Sequence, residues 1–387
     1  MGVHVFSLAL AIKLWNEPHY RKSSYAADVR DNFRNVAVPG TGFPLSILAI
    51  NKNVTIAFLI FLYPLLCLVA AIGHARRNKD ELFKLAYREQ LLAPRDWFSL
   101  WRINSRLAAW HSLVTRSTDA KEPTEGWHEY AMENKWLFLQ KGMKLGVAVS
   151  PVLSQPARLC IKHRNEEGGL GIHFFKNALN GGDWIIQEVM ENHDDVAKLL
   201  PNDAPLSTFR VMTASNMYRI GEARKTEKED VFPLSCVFRA GRAGASTDHS
   251  SILFDVDLKT GTIGRGTTNA QWYQIGKTLG VPWGPPQPIY YHPDSQTKVS
   301  GLKIPDFQKR ILDVALHAHK VMLPRVPIAG WDVVLSKSNG PCLLEVNLSC
   351  NFFRGSFDES KYYQFIHSYF SFCQKQQDQR QQAAAIN

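Results

Sequence analysis

Three oxygen-bearing side chains, Asp332, Glu345 and Asn347, fall within one stretch, Gly330 to Asn347, reading GWDVVLSKSNGPCLLEVN. Two carboxylates and an amide oxygen suit a hard cation such as Mg2+, which commonly fills its remaining positions with water and substrate phosphates. Whether they can share an ion depends on the backbone that carries them. The runs Trp331 to Ser336 and Cys342 to Asn347 are rich in Val and Leu, with Ser338, Asn339 and Gly340 between them, so the stretch reads as a β-hairpin. A turn centred on Asn339 and Gly340 sets Asp332 opposite Asn347 and Val334 opposite Glu345, which gathers the three candidate ligands on one face. Leu344 and Val346 then point the other way, into a core. The competing reading is a solvated ribbon face, with Pro341 weakening the turn.

Lys162 ends a strand-like run, Pro156 to Lys162, just ahead of Asn165-Glu166-Glu167-Gly168-Gly169-Leu170-Gly171. A lysine can place a point charge on a phosphate, and the backbone N–H groups of Gly168, Gly169 and Gly171 could approach a phosphate chain without Cβ interference. The spacing is not that of a Walker A loop, and a turn with an exposed lysine would look the same. Pro205 to Ala214 and Ser235 to Gly241 read as further strands, each with one arginine among apolar neighbours, Arg210 and Arg239. A buried guanidinium is costly without an anion, which here could be a phosphate, a substrate carboxylate or a structural Asp.

Asp332, a hairpin, and then Leu343-Leu344-Glu345-Val346-Asn347 together resemble the metal-binding strand pair of the ATP-grasp superfamily, and Gly330-Trp331-Asp332 ahead of Gly340-Pro341 is similar to its sugar-transfer-associated branch. The resemblance runs from about Lys135 to Gly355. It implies that Lys162 and the glycine run are the ATP-contacting lysine and a lid. It also implies that Asp183 to Met190, DWIIQEVM, is a strand leaving the lid toward the adenine. There Gln187 would meet the adenine amino group, backbone groups of Glu188 and Met190 its edge, and Asp194 the ribose. Arg210 and Arg239 match arginines of the family pattern, with phosphate favoured for Arg239 and either substrate or structure for Arg210. Thr247-Asp248-His249-Ser250-Ser251 departs from that pattern where Val-Asp-Asn and a glycine pair are usual. The cofactors implied are ATP and one or two Mg2+ ions.

With 387 residues and 45% hydrophobic content, the chain can bury a large core in two or three domains. Its net charge of +10 is uneven, since Met1 to Trp110 holds 14 Lys plus Arg against 7 Asp plus Glu, a difference of +7 that leaves +3 for the remainder. No zinc-finger, RNP or basic-helix signature points to nucleic acid, and the basic segment suits anionic lipid headgroups or a solvated face. Six cysteines without CxxC pairs or regular spacing indicate neither a disulfide framework nor a zinc site. Val54 to Ile72 is 19 uncharged residues, which as a helix rise ~28 Å against a ~30 Å hydrocarbon core. It reads as a transmembrane helix, and Arg76, Arg77, Lys79, Lys84 and Arg88 after it place the C-terminal side toward the cytoplasm or an equivalent ATP-rich compartment.

The expected organisation is therefore an N-terminal segment at 1–53 that could lie on a membrane, and a span at 54–72. Basic juxtamembrane helices and a linker follow at 73–126, then an α/β (α+β) ATP-grasp domain at 127–372 and a polar tail at 373–387. Within the domain a small lid, about 148–234, folds over a larger antiparallel-sheet core, about 235–372. The implied activity is that of a membrane-anchored, ATP-dependent carboxylate–amine ligase, acting through an acyl phosphate on small-molecule or glycan-linked carboxylates and amines. A kinase phosphorylating a hydroxyl and a non-catalytic, membrane-tethered nucleotide binder are the alternatives.

Overall fold

A computed structural model describes residues 2–34, 51–62, 64–65, 68, 72, 97–116, 129–153, 155, 158–162, 172–217, 230–247, 251–268, 288–349 and 355–386. In chain order the elements are α1 (Gly2–Lys13), α2 (Tyr25–Arg34), α3 (Lys52–Ala57, continued by a π-helical turn Phe58–Leu62), α4 (Trp97–Thr115) and α5 (Lys135–Lys144). The strands β1 (Arg158–Lys162) and β2 (Ile172–Lys176) follow, then the short α6 (Asp194–Ala197). The remaining elements are β3 (Thr208–Ser215), β4 (Val231–Ala240), β5 (Ile252–Val256), β6 (Ile263–Thr268), α7 (Asp313–Met322), β7 (Ile328–Ser336), β8 (Gly340–Asn347) and α8 (Glu359–Ile386).

Six antiparallel strands form the main sheet in the order β6-β5-β4-β3-β7-β8, and β1 and β2 form a separate two-stranded ribbon. β3 and β7 are buried along their whole length. Side chains alternate between faces at period two, so both faces of these central strands must be covered. One face carries Phe209, Val211, Cys236, Phe238, Phe254, Trp331 and Val333 in a cluster with Ala315, Ala318 and Met322 of α7 and Phe138 and Leu139 of α5. On the other face Met212, Ala214, Leu234 and Ile328 pack against α1, α4 and α8 through Leu10, Leu107, Trp110, Tyr362, Ile366 and Tyr369. The architecture is thus mixed α/β, with a helical layer on each side of an antiparallel sheet.

Several expectations are corrected. β3 and the start of β4 lie in the main sheet, so a lid running to 234 is too long. The small ribbon is followed only by the stretch to α6. Asp183 to Met190 is not a strand. It is an extended connection held by Ile186 O accepting from Leu153 N (2.8 Å) and by the single bridge of Trp184 with Asn177. The expected polar tail at 373–387 instead continues α8 to Ile386. Its Gln, Ala, Lys and Arg are good helix formers, and Gln377 accepts from Lys13 Nζ (2.7 Å) and Trp110 Nε1 (3.1 Å), while Arg380 donates to Leu113 O (3.2 Å) at the end of α4.

Among the described residues no helix is long and apolar enough to cross a membrane. The span expected at 54–72 is described only in part, with Val54, Ile60, Phe61, Leu62 and Leu65 exposed, and its remainder lies outside the described residues. The juxtamembrane stretch 73–96 and the linker 117–128 lie outside them as well.

Candidate functional site

The hairpin forms, with a register that differs from the simplest count. Its loop is Lys337, Ser338 and Asn339, because Ser336 pairs with Gly340, which sits in the left-handed region at φ +65°. Three-residue loops closed next to a residue of positive φ are a common hairpin solution. A register shift follows between Asp332 and Val333, so Val333 faces Leu343 whereas Asp332 faces Glu345 and Gly330 faces Asn347. The expected opposition of Asp332 to Asn347 is therefore overturned, as is that of Val334 to Glu345. Leu344 is the bulged residue and only half-buried, so Leu343 takes its expected place in the core, while Val346 is in the core as expected. Because the bulge precedes Glu345, Glu345 and Asn347 stay two residues apart on one regular stretch, and Asp332, Glu345 and Asn347 share a face.

Three other strands extend that face. Across the sheet Asp255 faces Val237, Val237 faces Arg210, Arg210 faces Asp332, and Asp332 faces Glu345. Arg210 grips Asp332 with two bonds, Nε to Oδ1 and a terminal nitrogen to Oδ2 at 2.9 Å, and Arg239 reaches Oδ2 at 3.4 Å. Asp332 is 4% exposed and Arg210 5%. Burial alone would raise the Asp332 pKa, but the neighbouring charge and hydrogen bonds of Arg210, with Arg239 behind it, hold the carboxyl below its ordinary value. Glu345 pairs with Lys135 Nζ through Oε2 at 2.9 Å and accepts from Asn347 Nδ2 through Oε1 at 3.3 Å. At the far end, Asp255 Oδ1 accepts from Ser356 N at 2.7 Å, and Ser356 Oγ donates to Asp255 Oδ2.

The donor set fits a hard cation on its chemistry. A carboxylate offers about four lone-pair directions; Arg210 uses one on each Asp332 oxygen and Arg239 a second on Oδ2 at 3.4 Å. Glu345 and Asn347 add oxygens on the same face. Among the described residues no cluster of three or more His, Cys, Asp or Glu forms an all-protein cage, and Mg2+ seldom requires one.

The other predicted residues are less closely gathered. Lys162 ends β1 opposite Ile172, and Gly168, Gly169 and Gly171 lie outside the described residues. Gln187 donates both Nε2 hydrogens inward, to Ser150 Oγ (2.8 Å) and Pro151 O (2.9 Å). Glu188 is exposed and Met190 half-buried on the extended connection. This connection reaches the turn end of the β7–β8 hairpin, where His193 N donates to Leu335 O (2.8 Å) and Lys337 N to Glu191 O (3.1 Å). Asp194 is the exposed first residue of α6. Lys135, Asp255 and Ser356 were not singled out by sequence, since only the three-dimensional pairing brings them to this face. The one local signal is Asn134, whose side chain caps α5 by accepting from Trp136 N and Leu137 N and so fixes where Lys135 begins the helix.

A family model described as sugar-transfer associated ATP-grasp matches residues 178–353, just under half of the chain. The match takes in Gln187, Glu188, Met190, Asp194, Arg210, Arg239 and the whole β7–β8 hairpin, and begins after Lys162 and the glycine run. No curated protein matches the chain.

Proposed function

We propose that the protein, whose residues 178–353 match the sugar-transfer associated ATP-grasp family model, is an ATP-dependent carboxylate–amine ligase. The observation that carries this reading is the row of charge on one sheet face, in which Asp332 lies opposite Glu345, one step from Asn347, with Arg210 and Arg239 beside it. Asp332, Glu345 and Asn347 would hold one or two Mg2+ ions, which neutralise charge on the β- and γ-phosphates and so make the terminal phosphoryl transferable. Arg210 is tied to both Asp332 oxygens, so its part is to keep that carboxylate ionised and aimed. Arg239 reaches the same carboxylate at 3.4 Å, and we assign it the contact with a phosphate. Gln187 has both amide hydrogens engaged, so its carbonyl oxygen is the atom that suits an adenine amino group. Lys162 would meet phosphate from the ribbon.

A carboxylate acceptor, small or glycan-linked, would attack the terminal phosphorus and release ADP. The resulting acyl phosphate would then lose phosphate to an attacking amine. We read residues 54–72 as the membrane anchor, on the strength of the uncharged run and its exposed Ile60, Phe61, Leu62 and Leu65, with the basic flank and the catalytic domain on the ATP-rich side.

The test is incubation of the purified full chain with ATP, Mg2+ and panels of carboxylates and amines, following ADP, phosphate and new amide. Ligase chemistry yields all three, whereas a phosphorylated acceptor without amide would identify a kinase. Asp332→Ala combined with Glu345→Ala is expected to abolish ADP formation, and undiminished turnover would remove the site.

A further inference from the structure

The β8 strand is at the edge of the main sheet, so on one side no neighbouring strand fixes the residues that carry Glu345 and Asn347. At Leu343 the outer edge is covered by Ala148 to Ser150, through Leu343 N to Ala148 O (2.9 Å) and Ser150 N to Leu343 O (2.9 Å). Past Asn347 a different device takes over, and it is built from the N-terminal part of the chain. Every polar group of Ser349 is held from outside the sheet. Its N–H donates to Glu133 Oε1 (3.4 Å), its Oγ accepts from Arg21 (2.7 Å), and its carbonyl accepts from Trp101 Nε1 (2.9 Å). Leu348 N donates to the same Glu133 oxygen at 2.6 Å.

Arg21 is the hub of this arrangement. One terminal nitrogen lies 2.9 and 3.0 Å from the two oxygens of Asp28 as well as against Ser349, and Nε lies 3.2 Å from Glu133 Oε2. The Asp28 and Glu133 side chains are 2% and 11% exposed, so they meet protein groups rather than water, Arg21 touching both and Asn32 also donating to Asp28 Oδ2 (3.0 Å). Arg21 thus donates to Asp28 and Ser349 through one terminal nitrogen and meets Glu133 as an ion pair, without an aligned Nε–H bond. Glu133 is followed two residues later by Lys135, which pairs with Glu345, so one short segment brackets Asn347 from both sides.

We propose that Arg21 is a positioning residue for divalent-cation binding: through Glu133 and Ser349 it fixes the exit of β8, and thereby the spacing of Glu345 and Asn347. The inference rests on the reading of the hairpin as a cation site, and it gives the N-terminal segment a part in that site. Outer partners of metal ligands commonly cost 10–100-fold in affinity when removed.

The test uses the full chain, manganese(II) as probe, alone and with adenylyl imidodiphosphate, and loss of the free-ion paramagnetic signal as readout. Thermal unfolding of each variant is followed in parallel. Arg21→Ala is expected to weaken manganese binding by about tenfold, Arg21→Lys to restore part of it, and Ser349→Ala, which leaves the Arg21–Asp28–Glu133 contacts in place, to shift it in the same direction by less. Should Arg21→Ala fail to fold, Arg21→Lys and Ser349→Ala decide. Wild-type affinity in the Arg21 and Ser349 variants, with binding lost in Asp332→Asn, would reduce the clamp to a structural tie and leave the site intact. Unchanged binding in both Asp332→Asn and Glu345→Gln would remove the site, and this inference with it.

Discussion

The two faces of the main sheet are made by the same strands and held in opposite ways. On one face Phe209, Phe238, Phe254 and Trp331, each at most 0% exposed, fill the space beneath α7 and α5. On the other, apolar packing against α1, α4 and α8 stops at Met212, and the next position along β3 is Arg210. Burying an aromatic or aliphatic side chain contributes about 1.5–3 kcal/mol. A buried ion pair contributes little net, because desolvation offsets the attraction, yet breaking it is expensive. The first face therefore supplies stability and tolerates gradual change, while the second contributes orientation and fails abruptly. A cation site belongs on the second kind of surface, where carboxylates are already ionised and aimed.

In stability, the largest effect should come from cutting the Arg210–Asp332 pair on one side. Arg210→Ala strands a buried carboxylate and is expected to cost on the order of 3–5 kcal/mol in denaturant unfolding. Adding Asp332→Leu should recover much of that loss. If the double variant is no more stable than Arg210→Ala, the pair is not an offsetting device and the contrast between the faces is wrong. Next comes pH. His319 sits on the apolar face, its Nδ1 2.6 Å from Thr213 Oγ1 and its Nε2 2.9 Å from Val326 O, and burial lowers its pKa to about 4. The neutral ring is favoured in the folded state, so its contribution is fully present above the unfolded value of 6.5 and is lost as pH falls toward about 4. Asp332 is depressed below 3.8, so its contribution is present above 3.8 and lost only as pH falls through that lower folded value. Acid should thus draw on the buried histidines of both layers before it reaches the Arg210–Asp332 pair. His4, His19 and His111, also lowered by burial, share that upper window. His319→Gln should therefore remove one share of the slope of stability between pH 6.5 and 4, and an unchanged slope would contradict the assignment.

The arginines and the acidic pair were legible because strand period two, once a hairpin is granted, decides which residues share a face. The common face of Asp332, Glu345 and Asn347 holds because the bulge at Leu344 restores the parity that the three-residue loop would otherwise reverse. The register was not legible, since a left-handed Gly340 and a bulge at Leu344 shift the pairing by amounts that turn residues do not announce. The extent of α8 was missed because glutamine-rich composition suits either a solvated helix or a frayed end, and contacts to Lys13, Trp110 and α4 decide between them. Arg21 and Glu133 were invisible for a different reason. Their partners lie more than 200 positions away, and no local pattern marks a residue whose role is to hold a distant backbone.

The smallest expected change in stability sharpens the comparison most, because it should accompany the largest change in chemistry. Glu345 is a quarter exposed and its partner Lys135 is 64% exposed, so the pair is screened by water and is worth at most ~1 kcal/mol. Glu345→Gln keeps the side chain's length and its hydrogen-bonding carbonyl, and should unfold within about 0.5 kcal/mol of the parent. On the apolar face, Ile311→Val removes one methylene from a fully buried side chain and should cost about 1 kcal/mol without touching cation affinity. Thermal unfolding and ATP turnover, measured side by side, should separate the two variants in opposite senses: Glu345→Gln stable and inactive, Ile311→Val weakened and active. An active Glu345→Gln would mean that the hairpin holds its acids for structure alone.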